Sequence, residues 1–91
     1  MATWTVTQLE DSNFGPYNSR RIKILADSST RDCNTGLNLA VKGVIHLGGT
    51  VQVPPAWVLN SNDGTTVANG HIYNNVGALG DGLTAYCLVL Y

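Results

Sequence analysis

Leu83-Thr84-Ala85-Tyr86-Cys87-Leu88-Val89-Leu90-Tyr91 is the stretch that decides the fold, because eight of its nine residues are apolar or aromatic. The run is too short to span a membrane and too continuous for a strand that alternates inside and outside residues. A strand of this kind asks for cover on both faces. One small fold readily covers one face, so the other points to the edge of a second sheet or to another subunit.

The rest of the chain alternates more regularly. Trp4 and Val6 interleave with Thr3, Thr5 and Thr7, which predicts a strand with one buried face. From Arg21 to Asp27, Ile22, Ile24 and Ala26 fall on one side and Arg21, Lys23 and Leu25 on the other, predicting a second strand. Between them, Glu10 to Asn18 gathers Asp, Ser, Asn, Gly and Pro, and reads as a loop turning at Gly15-Pro16. Ser28 to Asn38 reads as an irregular crossing loop with Thr35-Gly36 as a turning point. The apolar stretch Leu37 to Leu47 fits either a strand pair bent at Gly43 or a short helical turn, and its β-branched residues favour strand.

Further turns are expected at Gly48-Gly49, at Asn62-Asp63-Gly64 and at Asn69-Gly70. They separate a strand around Val51 and Val53 (closed by Pro54-Pro55), one starting at Trp57, a return from Thr65 to Ala68, and a short strand from His71 to Tyr73. A glycine-rich loop from Asn74 to Gly82 then leads into the closing strand. About seven short strands with no helix-period segment predict an all-β fold, a small antiparallel β-sandwich or open barrel, in one domain covering residues 1–91.

Hydrophobic residues make up 44% of the 91 residues and charged residues 12%, with a net charge of −1. The surface must then be largely Asn, Thr, Ser and Gly, which suits closely packed subunits because few charges have to be desolvated at a contact. Five Lys and Arg in all do not make a nucleic-acid footprint, and the cluster Arg20, Arg21 and Lys23 reads as a solvated strand edge. No secretory leader is recognisable in Met-Ala-Thr-Trp-Thr-Val-Thr. Cys33 and Cys87 match no metal or redox spacing and read as buried thiols rather than a disulfide.

Catalytic signals are sparse. His46 and His71 lack the spacing of a metal site, so each reads as a hydrogen-bonded structural residue. Asp27 and Asp32 are a near pair of carboxylates and lie on sequence expected to be solvated. Neither a nucleophile elbow nor a phosphate loop is present, and Asn60-Ser61-Asn62-Asp63-Gly64 reads as a turn rather than a calcium loop. The expectation is a non-enzyme without cofactor or metal. Trp4, Trp57, Tyr17, Tyr73 and Tyr91 are expected mainly in core and interface roles. A small lectin, with Trp57 stacking on a sugar beside Asn60, Asn62 and Asp63, is the alternative.

Phe14-Gly15, then Asn18-Ser19-Arg20-Arg21-Ile22-Lys23-Ile24, Ala26-Asp27-Ser28-Ser29 and Thr35-Gly36-Leu37 form an ordered set of features. That order resembles small structural proteins encoded in tailed-bacteriophage virion modules, which carry a Phe-Gly, a basic pair opening a strand that ends in Asp, and a Thr-Gly-Gly loop before Leu. The resemblance covers about the first two-fifths of the chain and, more loosely, Ala85 to Tyr91. Here one glycine follows Thr35, Cys33 stands inside the loop, and the second half carries little charge. The resemblance implies a capsid decoration or stabilising protein that sits on the head in symmetric clusters. Its partners would be copies of itself, a trimer being favoured, and the capsid protein, with no membrane and no direct nucleic-acid contact. Its place would be the virion, after assembly in the host cytoplasm. Phe14, Tyr17, Trp57, Leu88, Leu90 and Tyr91 are the residues expected at its contacts.

Overall fold

The structure is a computed structural model that describes residues 4–51, 55–76 and 80–91. Its seven strands are β1 (Thr5–Phe14), β2 (Tyr17–Leu25), β3 (Asp32–Asn34), β4 (Gly43–Gly49), β5 (Trp57–Ser61), β6 (Val67–Asn74) and β7 (Thr84–Leu90). They form two sheets, one ordered β1-β2-β7-β4 and the other β3-β6-β5, with every neighbouring pair antiparallel. The fold is all-β, a small sandwich of seven strands with no helix among the described residues.

The closing run of the chain becomes β7 and lies in the middle of the larger sheet, between β2 and β4. Its inward residues Ala85, Cys87 and Val89 join Ile22, Ile24, Cys33, Ile72 and Trp4 in one buried core. Each fully buried aliphatic side chain there contributes about 1.5–3 kcal/mol relative to exposure. The alternation of β2 appears as expected, with Ile22 and Ile24 buried and Arg21 and Leu25 exposed. On the other face of β7, Tyr86 and Leu88 are half-buried and Leu90 is nearly covered, so the sheet shields that side only in part.

Several local expectations give way. Residues 10–18 are not a loop: β1 runs on to Phe14 and turns at Gly15-Pro16 into β2, with Phe14 opposite Tyr17. Cross-strand partners override the polar composition, since Glu10 faces Arg21, Asp11 faces Arg20 and Ser12 faces Ser19. Within the expected crossing loop, Asp32 to Asn34 forms β3 by pairing with His71 to Tyr73 of β6. Of Leu37 to Leu47, only the part from Gly43 onward is strand, and Gly48 and Gly49 end β4 past a bulge rather than turning the chain. Asn69-Gly70 likewise lies inside β6. Val51 is outside any strand; Thr3, Val53 and Pro54 lie outside the described residues. The Asn62-Asp63-Gly64 turn does connect two paired strands, β5 and β6.

The sheets are tied at two edges. Trp4 N–H donates to the Asp32 carbonyl at 2.9 Å, joining the start of β1 to β3. Asn60 of β5 bonds the main chain at Val41, just before β4.

Candidate interaction surface

The residues of β7 that point away from the core set the middle of a second face. Strand register places Leu88 between Arg21 of β2 and Ile45 of β4, Leu90 between Ser19 and Gly43, and Tyr86 between Lys23 and Gly48. Directly opposed residues on antiparallel strands share a face. The same parity brings Phe14 and Tyr17 to this side, at the tip of the β1–β2 hairpin, where they are 49% and 41% exposed. Four of the six expected contact residues, Phe14, Tyr17, Leu88 and Leu90, are thus on one side of one sheet.

The other two are elsewhere. Trp57 packs against the core, its ring edge-on to Trp4 at 6.1 Å. Tyr91 also packs against the core and exchanges main-chain hydrogen bonds with Asn18 at 3.0 and 2.9 Å. The bulk of each indole or phenol sits with the inner layer, which follows from the shortage of large apolar side chains in so small a core.

Charges around the outer face are largely answered by neighbours. Arg21 Nη1 lies 2.9 Å from Glu10 Oε1 on the adjacent strand. Arg20 holds Asp11 in two contacts, at 2.7 and 3.1 Å. That hydrogen bonding keeps the Asp11 carboxyl below its ordinary range and raises the Arg20 guanidinium. Arg20 and Arg21 are thus both paired, while Lys23, opposite Tyr86 on the outer face, has no ion pair among the described residues.

A second group of polar residues lies on the smaller sheet. Asp32, expected to be solvated, is 2% exposed, and His71 Nδ1 stands 2.9 and 3.1 Å from its two carboxylate oxygens. Pairing of β3 with β6 carries Asp32 into this position, which no reading of a three-residue strand reveals. Arg31 stacks on the Tyr73 ring at 4.6 Å and donates through Nε to the Asn74 carbonyl. Asp27 does not join Asp32: its carboxylate accepts from Ser29 and Thr30 in its own exposed turn, and those bonds lower its pKa. His46 Nδ1 and Trp57 Nε1 are buried with no hydrogen-bond partner in the protein. Among the described residues, no three His, Cys, Asp or Glu are grouped to hold a metal ion.

The groups of the sugar-binding alternative are largely occupied within the chain. The Asn60 amide is spent on Val41. Asp63 Oδ1 accepts from the main-chain N–H groups of Thr65 and Thr66 at 2.8 and 2.6 Å, which drives its pKa strongly down. The pocket at this turn is small, about 130 Å³, and is lined by Asn60, Ser61, Thr65 and Thr66 together with Val58 and Val67. Cys33 and Cys87 are free, buried thiols, and burial pushes both up, Cys87 to about 12.

Comparison with protein-family models, with curated proteins and with solved structures finds no match for this chain.

Proposed function

We propose that the chain is a non-enzymatic structural protein of a tailed-phage particle, which decorates or cements the capsid through self-association and contact with the capsid protein. The observation that carries this reading is the outer face of the larger sheet. There the central strand offers Tyr86 and Leu88 beside the nearly covered Leu90, the hairpin tip offers Phe14 and Tyr17, Arg21 is neutralised by Glu10, and Lys23 is the one charge opposite Tyr86. Such a surface loses little on desolvation and gains from apolar contact. Support also comes from the order of motifs between Phe14 and Leu37, and from a low charge content that suits close packing of many copies. The lectin alternative loses support because Trp57, Asn60 and Asp63 are engaged by their own chain.

The test is co-sedimentation of the purified protein with empty capsids of tailed phages, followed by electron microscopy of the pellet, with a glycan array run in parallel. Ordered density on the capsid surface is the expected result. Retention on glycans with no capsid binding overturns the proposal.

A further inference from the structure

Four strands end the two sheets, and three carry features that discourage pairing with another chain. β1 is bulged between Gln8 and Glu10 and bears Glu10 and Asp11. β3 has three residues. β5 has five and is interrupted by a bulge before Ser61. Short length, bulges and charge are the usual means by which sheet edges avoid edge-to-edge association.

β4 differs. Its sequence Gly-Val-Ile-His-Leu-Gly-Gly contains no Asp, Glu, Lys, Arg or Pro, and among the described residues β7 is its sole strand neighbour in the sheet. Its bulge falls late, between His46 and Gly48, leaving Gly43 to His46 in unbroken register with β7. Leu47 projects at that bulge and is 50% exposed, while Ile45 is half-buried on the outer face.

We propose that β4 pairs antiparallel with β4 of a second copy, extending the four-stranded sheet to a continuous eight-stranded one about a two-fold axis close to Ile45. The inference rests on the reading that copies of this chain meet one another, and it specifies where. A two-fold axis perpendicular to the sheet keeps both outer faces on the same side, and opposed residues must then share parity. Centred on Ile45, the register sets Ile45 against the second copy's Ile45 and Val44 against its His46, up to the bulge at Leu47. No charge meets a like charge. The same operation applied to β1 about Glu10 would set Glu10 against its own copy, a repulsive arrangement. Charge compatibility of β4 with itself, together with the joining of two Ile45–Leu88–Leu90 stripes into one apolar surface, favours a second copy over a foreign strand. The resulting assembly has an even number of chains, in place of the trimer that the resemblance implies.

The test uses the full chain. Sedimentation velocity across the micromolar range is expected to show a concentration-dependent dimer, and Ile45→Lys, which sets like charges opposite each other, is expected to weaken it by about tenfold or more. Hydrogen exchange of the unmutated protein provides the readout independent of folding defects: dilution is expected to remove protection from amides within 43–47 and not from those of the β1 edge. Ile45→Cys is expected to cross-link into a disulfide dimer under mild oxidant, since the native thiols are buried. A protein that stays monomeric throughout, or a dimer whose 43–47 amides exchange identically at all concentrations, overturns the inference. Capsid binding by such a protein leaves the capsid contact of the proposed function standing, whereas a β4 dimer that ignores capsids removes the function and keeps the edge.

Discussion

Asn60 closes one edge of the sandwich by treating the main chain of Val41 as a strand partner. Its side-chain Oδ1 accepts from Val41 N–H at 2.7 Å and its Nδ2 donates to the Val41 carbonyl at 3.0 Å. Asn60 sits at φ +58 in the bulge of β5, a left-handed conformation that Asn tolerates better than most residues. The bulge re-aims the side chain toward the other sheet. Trp4 and Asp32 make the corresponding main-chain link at β1 and β3.

Removing the Asn60 amide is therefore expected to loosen that edge. Asn60→Ala loses two hydrogen bonds, each contributing about 1 kcal/mol net, and adds about 1 kcal/mol of left-handed strain. A loss near 3 kcal/mol is large against a total stability of about 5–15 kcal/mol. Asn60→Gly loses the bonds without the strain and is expected to fall between Ala and the parent in urea denaturation. Equal stability of all three would mean that the amide contributes nothing to closure.

The two faces of β7 are expected to respond differently to the same charge. Val89→Asp places a carboxylate in the inner core, where an unpaired charge costs several kcal/mol, and is expected to abolish cooperative unfolding. Leu88→Asp changes the half-buried face beside Arg21, where water and a cation are within reach, so the monomer is expected to keep its circular dichroism while losing capsid binding. A folded Leu88→Asp protein that still binds capsids would remove Leu88 from the contact.

Glycine positions separate in the same way. Gly70 has φ +84, and a Cβ there would collide with the main-chain carbonyl of Leu37, while its own carbonyl accepts from Thr35. Backbone cannot yield as a side chain does, so Gly70→Ala is expected to be among the most destabilising substitutions, about 3 kcal/mol or more. Gly64 has φ +90 and its Cβ would meet the Tyr73 ring at 3.1 Å, so Gly64→Val disturbs the turn, but with a ring able to shift. Thermal melts of both variants should rank Gly70→Ala at least as low as Gly64→Val.

Much of this architecture is legible without coordinates where side chains repeat. Ile22, Ile24 and Ala26 mark a buried face at period two, Leu83 to Tyr91 marks a strand, and Asn62-Asp63-Gly64 marks a turn, because each signal is local. β3 escapes because three residues carry no period and its partner lies near Ile72. The second half of β1 escapes because its residues are polar and are held by Arg20, Arg21 and Ser19 across the hairpin. For the interaction surface, Phe14, Tyr17, Leu88 and Leu90 share a side only once the strand order is known; Trp57 and Tyr91 look the same in sequence and pack inward. The Asp32–His71 pair joins residues 39 positions apart and leaves no sequence trace.

The buried thiols impose an alkaline limit. Burial raises Cys87 from an ordinary value of 9.0 to about 12, and Cys33 is also pushed well above that ordinary value. Below pH 9 both thiols are protonated in folded and unfolded chains alike, so their contribution to stability is fully present. Above it the unfolded chain releases protons that the folded one retains, and stability declines as pH rises from 9 toward the folded value of about 12. Within that window the Cys87 thiol adds a slope of about 1.4 kcal/mol per pH unit. Replacing Cys87 by Ala is expected to lower stability at pH 7 through the cavity it leaves, yet to flatten the fall in urea midpoint above pH 9. A parent and variant whose midpoints fall in parallel through that range would show that the Cys87 thiol ionises as readily in the folded protein as in the unfolded chain.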